Sequence, residues 1–403
     1  MAPPPPFRVA IIGLSASAVT SWAPEAHLPA LQTAAGRERY RIVALCNSSE
    51  AAARASIATY GLPADTKAYG SPAELAADPD VDFVICSTRV DKHLETALPS
   101  VRAGKDVFVE WPVASNTADV DALAAAARQS GARVLVGLQG RWAPPVLKLR
   151  ELLAAGAIGR LLSCEVRAYG GTNDRELLPV GLKYFAQRAA GGNPITIGFG
   201  HVIDFVQSVV GELVPGTVHT HFQLQRPEVR IRDPARNNQI VETIRSDVPD
   251  LLSLHGESYQ PYPPATLTVL FRRGQPFPGT PALTWTLHGT AGELRLVAPG
   301  GIALQADAGY AGAEPVRIAL HRFGNQPGGG EGEVVEDVPW SWGDGWQAEV
   351  SVRARTVGRV LFAWADYRRG LVGEEGREKG WVELEEAAER ARQIQGWLDG
   401  WQA

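Results

Sequence analysis

Cysteine is scarce in this chain, with only Cys46, Cys86 and Cys164 among 403 residues. So few thiols exclude a disulfide scaffold, and the apolar runs around Cys46 and Cys86 point to buried, unpaired groups. Excess positive charge is also missing. The net charge is −5 and the pI about 6, so no global basic field invites nucleic acid. A role at genes would run through another protein. No apolar run is long enough to span a membrane. No His/Cys/Glu spacing marks a metal site, and no Gly-x-Ser-x-Gly elbow marks a hydrolase. The opening Met-Ala-Pro-Pro-Pro-Pro lacks the apolar core and basic leader of a signal peptide and reads as a disordered tail. Cytoplasm or nucleus is the expected location, which leaves the formal sequon Asn47-Ser48-Ser49 without use.

What is present is the composition of a soluble globular protein, 45% apolar and 21% charged, long enough for two domains. Phe7-Arg8-Val9-Ala10-Ile11-Ile12-Gly13 reads as a buried strand ending in glycine. Four similar runs follow: Arg41 to Cys46, Val81 to Cys86, Asp106 to Val109 and Arg133 to Leu138. Helical patterns over 28–35, 49–60, 94–103 and 120–130 separate them. This alternation predicts a doubly wound parallel sheet, whose ligands bind at the carboxyl ends of the strands.

The residues after each run are therefore the candidates. The first turn, Gly13-Leu14-Ser15-Ala16-Ser17-Ala18, keeps only the first glycine of a GxGxxG fingerprint. Ser15, Ala16 and Ser17 are small enough for a pyrophosphate to approach, and the serines add hydroxyls. The alternative is a plain strand-to-helix turn. Asn47-Ser48-Ser49 ends the second run with no acidic residue for a ribose 2′-hydroxyl, which tilts toward NADP; a simple turn and N-cap is the alternative. The third run ends in Ser87-Thr88-Arg89, with His93 beyond it as a ribose contact or a helix-surface residue. The fourth gives Glu110-Trp111-Pro112, where an aromatic before proline favours a cis bond. The fifth gives Gln139-Gly140-Arg141, with Arg141 pinning the loop under the cofactor or forming an interdomain ion pair.

With these strand ends in place, the chain resembles the Gfo/Idh/MocA oxidoreductase family, and within it the regulatory, NAD(P)-binding branch of the fungal galactose-pathway repressor. The segments that carry the resemblance are 9–22, 107–115, 136–145, 182–207 and 283–296, which together cover both domains. The resemblance implies an N-terminal Rossmann domain with NADP or NAD as cofactor. Catalytic relatives read Glu-Lys-Pro where this chain reads Glu110-Trp111-Pro112, and there the lysine handles the substrate proton. An indole N–H donates a hydrogen bond but exchanges no proton near neutral pH. Relatives also carry Asp-x-Gly-x-His-x-x-Asp at a helix start. Here that stretch reads Ile197-Gly198-Phe199-Gly200-His201-Val202-Ile203-Asp204, so His201 and Asp204 remain while Ile197 replaces the first aspartate. Lys183, Tyr184 and Tyr169 are candidates for a replacement acid; a surface lysine and packed tyrosines are the alternative.

After about residue 143 the pattern changes. Leu161 to Tyr169 alternates like a half-buried strand, and 267–271, 284–289 and 292–297 repeat that signal between glycines and prolines. An open, mainly antiparallel sheet is predicted. One face is expected to cover the cofactor cleft, and the family makes dimers through the other. Segments 226–250 and 306–336 read as polar loops, with a flexible point at Gly328-Gly329-Gly330. Apolar or small residues at 384, 387, 388, 391, 394 and 398 form one helical face, expected to pack back on the first domain. The expected division is a tail at 1–6, a dinucleotide domain at 7–143, a substrate or partner and oligomerisation domain at 144–380, and a C-terminal helix in 381–403.

Two functions fit. One is a regulator that binds NAD(P) and an acidic activator peptide of a transcription factor, with Trp111, Phe199 and Trp142 as an apolar floor. The other is an NADP-dependent oxidoreductase that works on a sugar-like or less polar carbonyl through His201. A pseudoenzyme subunit of another oxidoreductase is a third, weaker fit.

Overall fold

The computed structural model describes residues 4–18, 22–170, 174–259, 262–304, 314–324, 334–372 and 380–401. The chain divides into two compact units. The first comprises residues 1–139, 189–192 and 343–395, and the second 140–188, 193–342 and 396–403. The expected domain limits differ from this division at 140–143, 189–192 and 343–380, the last holding the helix Val352–Arg368, which is grouped with the first unit.

The first unit is built on parallel strands β1 (Phe7–Ile12), β2 (Tyr40–Cys46), β3 (Lys67–Tyr69), β4 (Phe83–Cys86), β5 (Asp106–Val109) and β6 (Val134–Val136). Their order is β3-β2-β1-β4-β5-β6, the doubly wound arrangement in which strand order reverses beside β1. The strand Val382–Glu383 joins β6 antiparallel. Central strands β4 and β5 are buried along their whole length, which is why they read as unbroken apolar runs. A capping side chain starts the helix after β5. Asn116 accepts from the Asp119 N–H at the start of Thr117–Ser130, and Gly131, at φ +75°, ends that helix. The helix Leu384–Asp399 buries Leu384, Ala387, Ala388, Ile394 and Leu398, the face its spacing predicts.

The second unit holds a larger sheet. Its strands are β7 (Leu161–Gly170), β9 (Glu212–Leu213), β10 (His219–Gln223), β13 (Leu251–Tyr259), β14 (Ala265–Arg273), β15 (Leu283–Gly289), β16 (Gly292–Ala298), β17 (Arg317–Arg322) and β18 (Val334–Asp337). Strands β8 (Leu177–Pro179), β11 (Glu228–Asp233) and β12 (Gln239–Arg245) form a separate three-stranded sheet. The larger sheet runs β10-β13-β14-β7-β15-β16-β17-β18, with β9 beside β13. Only β14 and β7 pair in parallel, so the predicted open, mainly antiparallel sheet is present. β15 and β16 alternate buried and half-exposed residues, one face packed and the other open.

The polar loop expected at 226–250 is instead the β11–β12 hairpin. Most of β12 is exposed, so it lacks the apolar alternation that marks a strand. Within 306–336, Arg317–Arg322 and Val334–Asp337 are strands. Gly328-Gly329-Gly330 lies outside the described residues. All three cysteines are free and buried, as their apolar settings suggest. Among the described residues, no helix is long and apolar enough to cross a membrane.

Candidate functional site

In the first unit, the candidates gather where the sheet reverses. Gly13, just past β1, has φ +94° and donates its N–H to the Cys46 carbonyl at 3.0 Å. A Cβ there would lie 2.3 Å from the Ser87 carbonyl oxygen, so only glycine lets the ends of β1 and β4 come this close. The turn beyond is held by its own hydroxyl. Ser15 Oγ accepts from the N–H groups of Ser17 (3.3 Å) and Ala18 (3.1 Å), and Ser56 Oγ accepts from that of Ala16 (3.2 Å). Ser17 is exposed.

At the end of β2, Asn47 turns inward. Its Nδ2 donates to the Leu14 carbonyl and to Ser56 Oγ, both at 3.0 Å. Ser49 caps the helix Glu50–Thr59 by accepting from the Ala52 N–H at 3.1 Å. Of these three residues, Ser48 alone is exposed without a contact of this kind.

After β4, Ser87 is buried, and its N–H donates to the Ile12 carbonyl at 2.9 Å. Thr88 Oγ1 lies 3.4 Å from Thr96 Oγ1. Arg89 is paired with Asp91, whose carboxyl it draws below the usual range. His93 is 1% exposed, which rules out a helix-surface position. Its Nδ1 lies 2.9 Å from the Pro112 carbonyl and its Nε2 3.0 Å from the Thr88 carbonyl. Both ring nitrogens therefore face backbone carbonyls, and the ring joins two strand-end loops. Burial pushes its pKa below the ordinary histidine value.

After β5, the Trp111–Pro112 bond is cis and Trp111 is buried. Glu110 is buried too, and its Oε1 accepts from Trp22 Nε1 at 2.9 Å and lies 2.5 Å from His27 Nε2. Gln139, beyond β6, is buried, and its Oε1 has no hydrogen-bond partner among the described residues. Trp22 and His27 were not among the sequence candidates. A signal for them existed: an acid expected just after a buried strand needs donors, and they are the first indole and imidazole after the glycine turn.

In the second unit, two of the four defined positions of the expected chemical motif, 197 and 199, serve packing. Asn193 accepts from the N–H groups of Ile195 (2.9 Å) and Thr196 (3.1 Å) and starts a wide turn, Pro194–Phe199, that leads into the helix Gly200–Val210. Ile197 packs against the cluster of Leu178, Phe185, Ala186, Val229 and Ile231, joined by Tyr184. Phe199 is 0% exposed and lies against Phe271 and Trp397, with ring centroids 5.8 and 6.1 Å away. The expectation that Phe199 helps floor an open site is therefore corrected: it is core. Trp142 is also buried, with the Arg150 guanidinium 5.7 Å from its ring centre.

His201 stands half-buried at the second position of its helix. Asp204, one turn on, is 1% exposed and holds Arg141 through bonds of 2.6 and 2.7 Å. The ion pair that was one of the two expectations for Arg141 is thus present, and both of its residues fall in the second unit. Lys183 is exposed and paired with Glu242 at 2.6 Å. Tyr184 meets Phe185 edge-on at 5.0 Å. The Arg272 guanidinium lies 5.1 Å from the Tyr169 ring centre. Lysine and tyrosines thus sit as a surface ion pair and packed rings.

The sequence matches two known families. Residues 7–138 match an oxidoreductase family with an NAD-binding Rossmann fold, and residues 144–298 match the C-terminal domain of Gal80p. Dehydrogenase aclE of Aspergillus oryzae is 35% identical over 297 residues, covering 73% of this chain and 77% of that protein. The galactose/lactose metabolism regulatory protein GAL80 of Saccharomyces cerevisiae is 27% identical over 305 residues, covering 74% and 68%. The crystal structure of a super-repressor mutant of Gal80p from Saccharomyces cerevisiae superposes with a TM-score of 0.80 at 23% identity, covering 98% of this chain and 95% of that one.

Proposed function

The chain belongs to the Gfo/Idh/MocA oxidoreductase family, and from that premise we propose that it is a galactose-repressor-like transcriptional regulator that holds NAD or NADP as a ligand rather than a redox reagent. The packing of Ile197 carries this reading. Where catalytic relatives place an aspartate, this side chain lies among Leu178, Phe185, Val229 and Ile231. Trp111 stands in place of their lysine, and Asp204 is engaged by Arg141. Each positioned acid–base group is worth about 10²–10⁴-fold in rate. Losing two with overlapping effects removes roughly 3–6 kcal/mol of transition-state stabilisation.

The strand ends of the first unit favour dinucleotide binding. Gly13, at φ +94° with the Ser87 carbonyl close against it, makes the tight turn that opens a dinucleotide fingerprint. Among the described residues, the N–H groups of Ser17 and Ala18 are held by a neutral hydroxyl at 3.1–3.3 Å. A phosphate oxygen forms stronger, charge-assisted bonds to such donors. A bound nicotinamide would supply hydride chemistry, which this reading leaves unused. The chain's own residues would orient it, but among the motif positions only His201 remains to move a proton. The partner in this reading is the acidic activation segment of a transcription factor, engaged by a homodimer in the cytoplasm or nucleus. The GAL80 relatives, named as regulatory proteins of galactose/lactose metabolism, support the regulatory role.

The 35% identity to a protein named as a dehydrogenase favours a second reading, an NADP-dependent oxidoreductase that uses His201 on a carbonyl of low polarity. Single-turnover absorbance at 340 nm separates the two. Protein saturated with NADPH or NADP is mixed with a panel of carbonyls and sugars. Binding without any substrate-dependent absorbance change is expected. Hydride transfer to or from any member of the panel would overturn the regulator-only reading.

A further inference from the structure

We infer that Glu110 is a positioning residue, which ties the loop leaving the first turn to the end of β5, so that dinucleotide affinity depends on a carboxylate that does not touch the dinucleotide. This rests on the cofactor reading above. Standing just past β5, the carboxylate meets groups that follow two other strands, β1 and β6. Oε1 accepts from Trp22 Nε1 at 2.9 Å and faces His27 Nε2 at 2.5 Å; both residues come after β1. Oε2 lies against Gly137, just past β6, where a Cβ would stand 2.5 Å from it.

The partners are themselves held. Trp22 lies beneath the Arg353 guanidinium, 5.9 Å from its ring centre, and Arg353 pairs with Glu25. His27 is 0% exposed and stands edge-on to Phe108 of β5, with centroids 5.2 Å apart. Its Nδ1 has no hydrogen-bond partner among the described residues, which places the ring hydrogen on Nε2, toward Glu110. A buried carboxylate is tolerated only when donors surround it, and here the donors come from the segment after Gly13. With Oε1 meeting two groups and Oε2 against the backbone, Glu110 is turned to the protein rather than to a ribose.

The test measures NADPH and NADH binding to the full chain by titration calorimetry. Glu110→Ala and Trp22→Phe should each weaken binding roughly tenfold, the cost of leaving a buried polar group unmatched. The double variant should be no weaker than either single one, because one linkage is broken in each case. Glu110→Gln, which keeps an acceptor for Trp22, should restore most of the loss, and Gly137→Ala, which crowds Oε2, should reproduce it. Additive effects, or unchanged affinity in Glu110→Ala, would overturn the inference.

A second readout stands apart from the cofactor. In ¹⁵N spectra of the cofactor-free protein, the Trp22 indole N–H, assigned by its loss in Trp22→Phe, should shift and exchange faster with water in Glu110→Ala. An unmoved resonance would refute the linkage. Absence of dinucleotide binding in the unaltered protein would instead refute the cofactor reading and leave this spectral test to decide the linkage.

Discussion

The strand ends of the first unit and the 193–204 stretch of the second treat their polar positions in opposite ways. At the strand ends, polar groups are kept and fixed. Gly13 lets two strands close together, His93 joins two loops, and Glu110 gathers an indole and an imidazole. In the second stretch, two positions of a chemical motif have become packing. Ile197 joins an apolar cluster, and Phe199 is sealed against Phe271 and Trp397. The half of the molecule that would hold a dinucleotide keeps its framework, while the half that would handle protons has turned two motif positions to packing.

Substitutions sharpen this contrast, and the largest effects should fall in the second unit. Asp204→Asn removes one partner of a buried, bidentate ion pair and should cost about 3–5 kcal/mol, read from urea unfolding. Phe199→Ala opens a cavity beneath Phe271 and should cost a similar ~3–5 kcal/mol. If Phe199 instead faced a ligand, the loss of stability would be small and the loss of binding large.

Next comes His93. Replacement by Phe removes the one N–H that the neutral ring donates to either the Thr88 or the Pro112 carbonyl and should cost about 1–3 kcal/mol at neutral pH. Its pKa is lowered by burial, so the unfolded chain binds the proton more readily than the folded one. Stability from this group is therefore present above the ordinary histidine value of about 6.5 and is lost as pH falls through and below it. Unfolding free energies between pH 8 and 5 should decline less steeply in His93→Phe than in the natural protein. Equal slopes would contradict the assignment. The smallest effect belongs to Lys183→Ala. It breaks an exposed pair with Glu242 and should change stability by less than about 1 kcal/mol, without altering dinucleotide affinity.

Much of the first unit was legible in the sequence because β1, β2, β4 and β5 are runs of apolar residues ended by turn formers. β3 is three residues long and only partly buried, too little to leave a period. β12 is exposed on both faces and carries no alternation at all. The site was less legible than the fold. Spacing placed Phe199 and His201 near one another along the chain. Which of them faces a core is decided by Phe271 and Trp397, far away in sequence. Arg141 offered two roles, and only the fold identifies Asp204 as its ion-pair partner. Trp22 and His27 escaped notice because their role depends on Glu110, more than eighty residues further along the chain.

The contrast between the two regions is tested most directly by single-turnover hydride transfer in the protein carrying both Trp111→Lys and Ile197→Asp, beside the unaltered chain. The unaltered protein should bind NADPH and leave its 340 nm absorbance unchanged across the carbonyl and sugar panel, while the doubly substituted protein should oxidise it with at least one member. Substrate-dependent oxidation by the unaltered chain would show that the second unit still moves protons and would contradict the account.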